Sequence, residues 1–134
     1  MRLVLDASVA VAAARAGEPA HDAARARLSR ILRGADEIVV PTLFSVEVTA
    51  ALARAGEPAG VIRAWVDAVV SIAVRVVPLG PRFATRARET AMRWKLRAAD
   101  AVYVALAARE EIALCTLDQE VARRSAGACR IIAP

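Results

Sequence analysis

Four carboxylates stand where chemistry could use them. Asp6 follows directly on an apolar run, in Leu3-Val4-Leu5-Asp6-Ala7-Ser8, and so leaves the carboxyl end of the first predicted strand. Taken alone, it could also serve as the N-cap of the next helix. Glu47 lies mid-helix in Phe44-Ser45-Val46-Glu47-Val48, and its neighbours three and four residues away, Leu43, Phe44, Ala50 and Ala51, include no cation. A carboxylate in apolar company is costly unless something outside its helix compensates it, and a bound metal is one such partner. Exposure on a solvated stripe is the alternative.

Asp100 opens the apolar run Ala101-Val102-Tyr103-Val104-Ala105-Leu106-Ala107, where the helix dipole favours an acid, and Arg97 lies three residues before it as a potential ion-pair partner. Asp118 follows Leu114-Cys115-Thr116-Leu117. Thr116 and Gln119 have the spacing of a capping box, which predicts Thr116 as the cap and leaves Asp118 free. The remaining acids have ordinary surface explanations. Glu89 lies among arginines, Glu110 and Glu111 sit in a turn, and Asp22, Asp36, Glu37 and Asp67 occur in polar neighbourhoods.

Two of the four acids leave strand ends and two sit on helices beside those ends, so they can converge at one edge. Carboxylates crowded together repel unless a divalent cation neutralises them, and oxygen ligands favour Mg²⁺ or Mn²⁺ over zinc. One or two such ions can activate a water, stabilise a pentavalent phosphate transition state and neutralise a leaving oxygen. Phosphodiester hydrolysis suits this set. The single histidine, His21, excludes a histidine-pair ribonuclease and reads as an exposed residue rather than a general base.

The charge balance agrees. The chain carries 19 basic and 14 acidic residues, a net charge of +5, and only Lys95 among the basic residues is not arginine. The ten acids outside the cluster leave the rest of the chain with an excess of +9. Guanidinium groups are good phosphate forks, so a polyanionic partner is plausible. Arg82, Arg86, Arg88 and Arg93 are candidates for phosphate contact, although an arginine stripe on an amphipathic helix is more often simply solvated.

These residues must be positioned by a small fold. A chain of 134 residues suits a single domain, residues 1–134, and 57% apolar residues exclude disorder. Short strands are predicted at 1–5, 38–41, 73–77 and 112–115, with a possible edge strand at 130–132. Helices are predicted at 9–14, 18–33, 42–54, 57–71, 81–94, 98–109 and 118–125, with Thr42 as a cap and Gly34 and Gly56 as stops. Strands alternating with helices predict an α/β fold, a mostly parallel sheet of four to five strands flanked by helices on both faces.

The longest apolar stretches, such as residues 9–14 and 101–108, fall well short of the ~20 residues a membrane span needs, and Asp6 interrupts any secretory leader. No membrane partner and a cytoplasmic location are expected. Cys115 and Cys129 have no metal-ligand spacing and are assigned no chemistry.

In order and spacing, Leu3-Val4-Leu5-Asp6-Ala7-Ser8-Val9, Ser45-Val46-Glu47-Val48 with Ala51-Leu52, Ala99-Asp100-Ala101-Val102-Tyr103-Val104-Ala105-Leu106-Ala107 and Leu114-Cys115-Thr116-Leu117-Asp118 resemble the PIN-domain ribonucleases. Among these they are most similar to the small VapC toxins of type II toxin–antitoxin modules. The resemblance spans nearly the whole chain. It implies a PIN-like three-layer sandwich, with one or two Mg²⁺ or Mn²⁺ ions held by catalytic acids at Asp6, Glu47, Asp100 and Asp118. It also implies that Ser8 and Thr116 orient ligands or a metal-held water. Such proteins cleave RNA, often tRNA or rRNA, usually as homodimers blocked by a cognate antitoxin. Some relatives carry a further acid near the last motif, where this chain has Gln119 and Glu120, so a fifth ligand stays open.

Other classes fit less well. A phosphoacceptor receiver needs an acid after a middle strand, where Val76-Val77 runs into Pro78, and a haloacid-dehalogenase phosphatase needs an acid where Ser8 stands. A non-catalytic PIN-like module that binds nucleic acid or a partner, its acids serving as caps, is the remaining alternative.

Overall fold

The computed structural model describes residues 1–134. Its elements are β1 (Arg2–Leu5), α1 (Ala7–Ala14), α2 (His21–Leu32), β2 (Glu37–Pro41), α3 (Leu43–Arg54), α4 (Ala59–Ser71), β3 (Ala73–Val77), α5 (Pro81–Trp94), α6 (Ala98–Glu110), β4 (Ala113–Cys115), α7 (Gln119–Ser125) and β5 (Ile131–Ile132). The five strands form one parallel sheet in the order β3-β2-β1-β4-β5, flanked by seven helices. This is the expected α/β fold, and the possible fifth strand is real.

β1 lies at the centre, and Leu3, Val4 and Leu5 are all fully buried. Successive strand residues face opposite sides, so burial of all three requires cover on both faces, the reason that the strand reads as an unbroken apolar run. α6 lies against β1, β2 and β4 and is buried at every position from Ala101 to Ala107. Its small residues allow that approach. Together these elements build one core of 32 residues in which Tyr103 and Phe44 are the largest fully buried side chains.

Register places the site. Leu5 pairs with Cys115, so β1 and β4 end side by side, and the Asp6 amide donates to the Cys115 carbonyl at 3.0 Å. From β1 the chain crosses to β2 on one side, while β4 adds on the other. The gap beyond the carboxyl ends of β1 and β4 is therefore the switch point where open parallel sheets form clefts.

Several local expectations are corrected. Thr42 precedes α3 but its side chain caps nothing, since its backbone is already helical. α2 starts at His21 rather than near Glu18, because Glu18 and His21 form turns first. His21 is half-buried rather than exposed, with Nδ1 2.9 Å from the Ala12 carbonyl, which fixes that nitrogen as the donor. Asp36 is no surface acid. Its carboxylate is buried beneath the Met1 amine at 3.0 Å, Arg27 at 2.8 Å and Arg30 at 2.7 Å. The Arg30 hydrogen bond above all holds that carboxyl far below the ordinary range. No helix is long and apolar enough to cross a membrane.

Candidate active site

Asp6 occupies the N-cap position of α1 but makes no side-chain bond to the helix amides. Its Oδ2 instead accepts from the Ser8 and Thr116 hydroxyls, each at 2.6 Å. Both hydroxyls are themselves oriented from behind. The Leu117 amide donates to Ser8 Oγ at 3.1 Å and the Asp118 amide to Thr116 Oγ1 at 3.0 Å, so each hydroxyl has its proton directed at Asp6. Burial pushes the Asp6 carboxyl up, the two hydroxyls oppose that shift, and the nearby charge of Asp100 adds to it.

Glu47 projects from α3 and is half-buried, with Oε2 enclosed and without a hydrogen-bond partner. The Tyr103 hydroxyl from α6 is likewise buried and unpartnered. Burial raises the Glu47 carboxyl, proximity of the Tyr103 hydroxyl opposes this, and Asp6 and Asp100 raise it further by repulsion. Asp6, Glu47 and Asp100 therefore lie within one another's fields.

Asp100 sits in the first turn of α6 and its Oδ2 accepts from Arg97 Nε at 3.0 Å. Asp118 departs from expectation. It is itself the N-cap of α7, with Oδ1 accepting from the Glu120 and Val121 amides at 2.8 and 3.0 Å. Thr116 cannot cap because its hydroxyl is committed to Asp6 and α7 begins only at Gln119. Asp118 Oδ2 still faces the site, where it accepts from Arg97 Nη2 at 3.1 Å.

All four acids, with Ser8, line one open depression of about 610 Å³ beyond the ends of β1 and β4. Two residues of that lining escaped sequence reasoning in this role. Glu18 contributes a fifth acid to the wall, already paired with Arg15, and no local pattern marked it. Arg97 was visible as a partner of Asp100, but its reach to Asp118 depends on the fold. Gln119 lines the depression, whereas Glu120 is held by Arg123 and Arg124. Of the arginines on α5, Arg86 and Arg93 flank a separate groove with Trp94.

The donor set is all oxygen, and burial together with the crowded negative charge raises the proton affinity of Asp6 and Glu47, the field that a hard divalent cation relieves. Asp6, Glu47 and Asp100 are the residues that would hold one, with Asp118 at the rim. As placed, no three of them converge on a common ligating point. Asp100 and Asp118 each give one oxygen to Arg97 instead, and a cation would have to draw the carboxylates inward.

Known proteins match this arrangement at the level of the fold. A structure of the Mycobacterium tuberculosis toxin VapC20, described as sarcin-ricin loop cleaving, superposes with a TM-score of 0.79 at 19% identity, covering 98% of this chain and 99% of that one. VapBC2 from Rickettsia felis, bound to a DNA fragment from its promoter, gives 0.74 at 14% identity, covering 100% and 99%. PAE2754 from Pyrobaculum aerophilum gives 0.71 at 22% identity, covering 97% and 83%. No curated protein matches the sequence. The family model described as PIN domain matches residues 3–127, so that nearly the whole chain, all four acids included, falls within it: the chain belongs to the PIN domain family.

Proposed function

We propose that this single PIN domain is a Mg²⁺- or Mn²⁺-dependent endoribonuclease, a VapC-like toxin that cleaves tRNA or rRNA. The observation that carries this reading is the meeting of Asp6, Glu47, Asp100 and Asp118 from four separate segments in one depression at the sheet's switch point. When bound, the cation would supply the positive charge and the activated water that phosphodiester hydrolysis requires.

The chain's own residues do the rest. Ser8 and Thr116 fix Asp6 by binding one of its oxygens, leaving the other free of side-chain donors. Glu47 brings an enclosed Oε2 that no basic side chain holds, with the Tyr103 hydroxyl close by. Preorganisation of this kind lowers the cost of assembling charge at the moment of reaction.

A toxin role is supported by the likeness to VapC20 and to VapBC2, the latter seen on promoter DNA. By that analogy the partners are an RNA substrate, a cognate antitoxin and a second copy of this chain, in the cytoplasm. The non-catalytic reading draws on Asp118, which does act as a cap, but Asp6 stands at a cap position and caps nothing.

The test is cleavage of host total RNA by purified, antitoxin-free protein with Mg²⁺ or Mn²⁺, beside EDTA and the folded Asp100→Asn variant, with fragment ends mapped. Discrete cuts that require both metal and Asp100 support the assignment. A folded protein that leaves every RNA intact favours the binding module.

A further inference from the structure

Arg97 is the one basic side chain among the fifteen residues lining the acidic depression, and the only cation bonded to any of its four candidate carboxylates. One guanidinium spans two elements here. Nε holds Asp100 at the start of α6 and Nη2 holds Asp118 at the start of α7. Asp6 and Glu47 touch no cation, and it is beside Glu47 that two buried polar atoms, Oε2 and the Tyr103 hydroxyl, lack partners. The chain thus neutralises one edge of its own cluster and leaves the other bare.

The backbone fixes where Arg97 stands. Lys95 ends α5 in the left-handed conformation, at φ 55°, and Arg97 is then extended at the N-cap position of α6. Its side chain is 78% exposed, so these ion pairs add little to stability, and their consequence lies in what the depression can bind. A guanidinium is always charged and carries five N–H donors, of which the two carboxylates occupy two. It cannot be neutralised to admit a metal ion. A cation seeking Asp100 and Asp118 together must break both bonds.

On the reading of this site as a metal-dependent nuclease, we propose that Arg97 is its second fixed positive charge. The guanidinium takes the Asp100–Asp118 edge that a second divalent ion would otherwise occupy, so that the protein loads one ion between Asp6, Glu47 and the Asp100 oxygen that Arg97 leaves free. Arg97 then faces the RNA phosphate with its remaining N–H groups.

Mn²⁺ titration of the full-length protein, followed by the electron paramagnetic resonance of free Mn²⁺, tests this directly. Wild type is expected to take up one ion per chain, Arg97→Met two, and Arg97→Lys, which keeps the charge, one. Melting curves check that each variant is folded. With Mn²⁺ sufficient for one ion, Arg97→Met is expected to cleave RNA about 100-fold more slowly, the cost of removing one electrostatic donor, and to recover as excess Mn²⁺ fills the vacated edge. Equal ion counts in wild type and Arg97→Met overturn the inference while leaving the nuclease reading intact. Two ions in wild type, or undiminished cleavage by Arg97→Met at low Mn²⁺, do the same. A wild type that takes up no Mn²⁺ removes the metal-dependent reading itself, and this inference with it.

Discussion

The Thr116 hydroxyl donates to Asp6 Oδ2 at 2.6 Å, joining the end of β1 to the end of β4 across 110 residues of sequence. The same hydroxyl accepts from the Asp118 amide, so it sets the orientation of one acid and the backbone of another. Thr116→Val preserves shape but deletes both bonds. A hydrogen bond to a charged group contributes about 1.5–3 kcal/mol, and the variant is expected to lose stability at the low end of that range because Ser8 remains. The Asp6 carboxyl, already raised by burial, should rise further when a donor that opposes the shift is lost. The acid limb of the cleavage pH profile should therefore move to higher pH. Thr116→Ser should restore both the limb and the stability; a profile unmoved by Val would show that Thr116 does not tune Asp6.

Glu47 gives a prediction in the opposite direction. Burial and the charges of Asp6 and Asp100 raise its folded pKa above the ordinary 4.5. The folded chain thus binds this proton more tightly than the unfolded one does, and stability falls as pH rises from the unfolded pKa through the raised folded value. Above that raised value the penalty is fully present. Glu47→Gln removes it, so the metal-free variant should melt a few degrees higher than wild type near pH 7, with the gap closing by about pH 4. Added Mg²⁺ should raise the melting temperature of wild type but not of the variant, since a ligand stabilises only the state that binds it. A metal-free Gln variant that melts lower than wild type near pH 7 would mean that Glu47 makes a favourable contact as a carboxylate.

Asp36 behaves as an anchor. Three cations converge on its enclosed carboxylate and depress its pKa, so its contribution is present above the unfolded value of 3.8 and is lost as pH falls through the depressed one. Asp36→Asn breaks these pairs and leaves Arg27, itself mostly buried, without its charge partner. Removing one partner of a buried pair can cost 3–5 kcal/mol. Arg30 and the Met1 amine are solvent-accessible and recover hydration, so a loss of about 2 kcal/mol is expected at neutral pH. Denaturant titration at several pH values measures it, and the difference from wild type should shrink on acidification.

What the sequence showed and what it hid divide along chain separation. The strands were legible because a strand buried on both faces is an unbroken apolar run, as in Leu3-Val4-Leu5 and Ile38-Val39-Val40. The alternation of such runs with helices then limits the topology. Glu47 was legible because it interrupts an apolar helix with no cation in reach. Thr116 was misread because capping-box spacing is a local rule, whereas the bond that uses its hydroxyl joins residues 110 positions apart. Asp36 looked like an ordinary surface acid because its cations come from the chain start and from the preceding helix. Arg97 revealed only half of its role, since Asp118 reaches it only once the fold brings the starts of α6 and α7 together.

Asp118 combines two tasks that substitution can separate. Its Oδ1 caps α7 while its Oδ2 faces the depression. Asparagine is as good an N-cap as aspartate, so Asp118→Asn should retain stability within a few tenths of a kcal/mol, whereas Asp118→Ala should lose about 1 kcal/mol through the exposed amides. Both remove the negative charge beside Arg97. If the carboxylate serves the reaction, the two variants should lose RNA cleavage equally despite their different melting temperatures. Should cleavage instead follow stability, with Asn active and Ala impaired, Asp118 is a structural cap and the working acids are Asp6, Glu47 and Asp100.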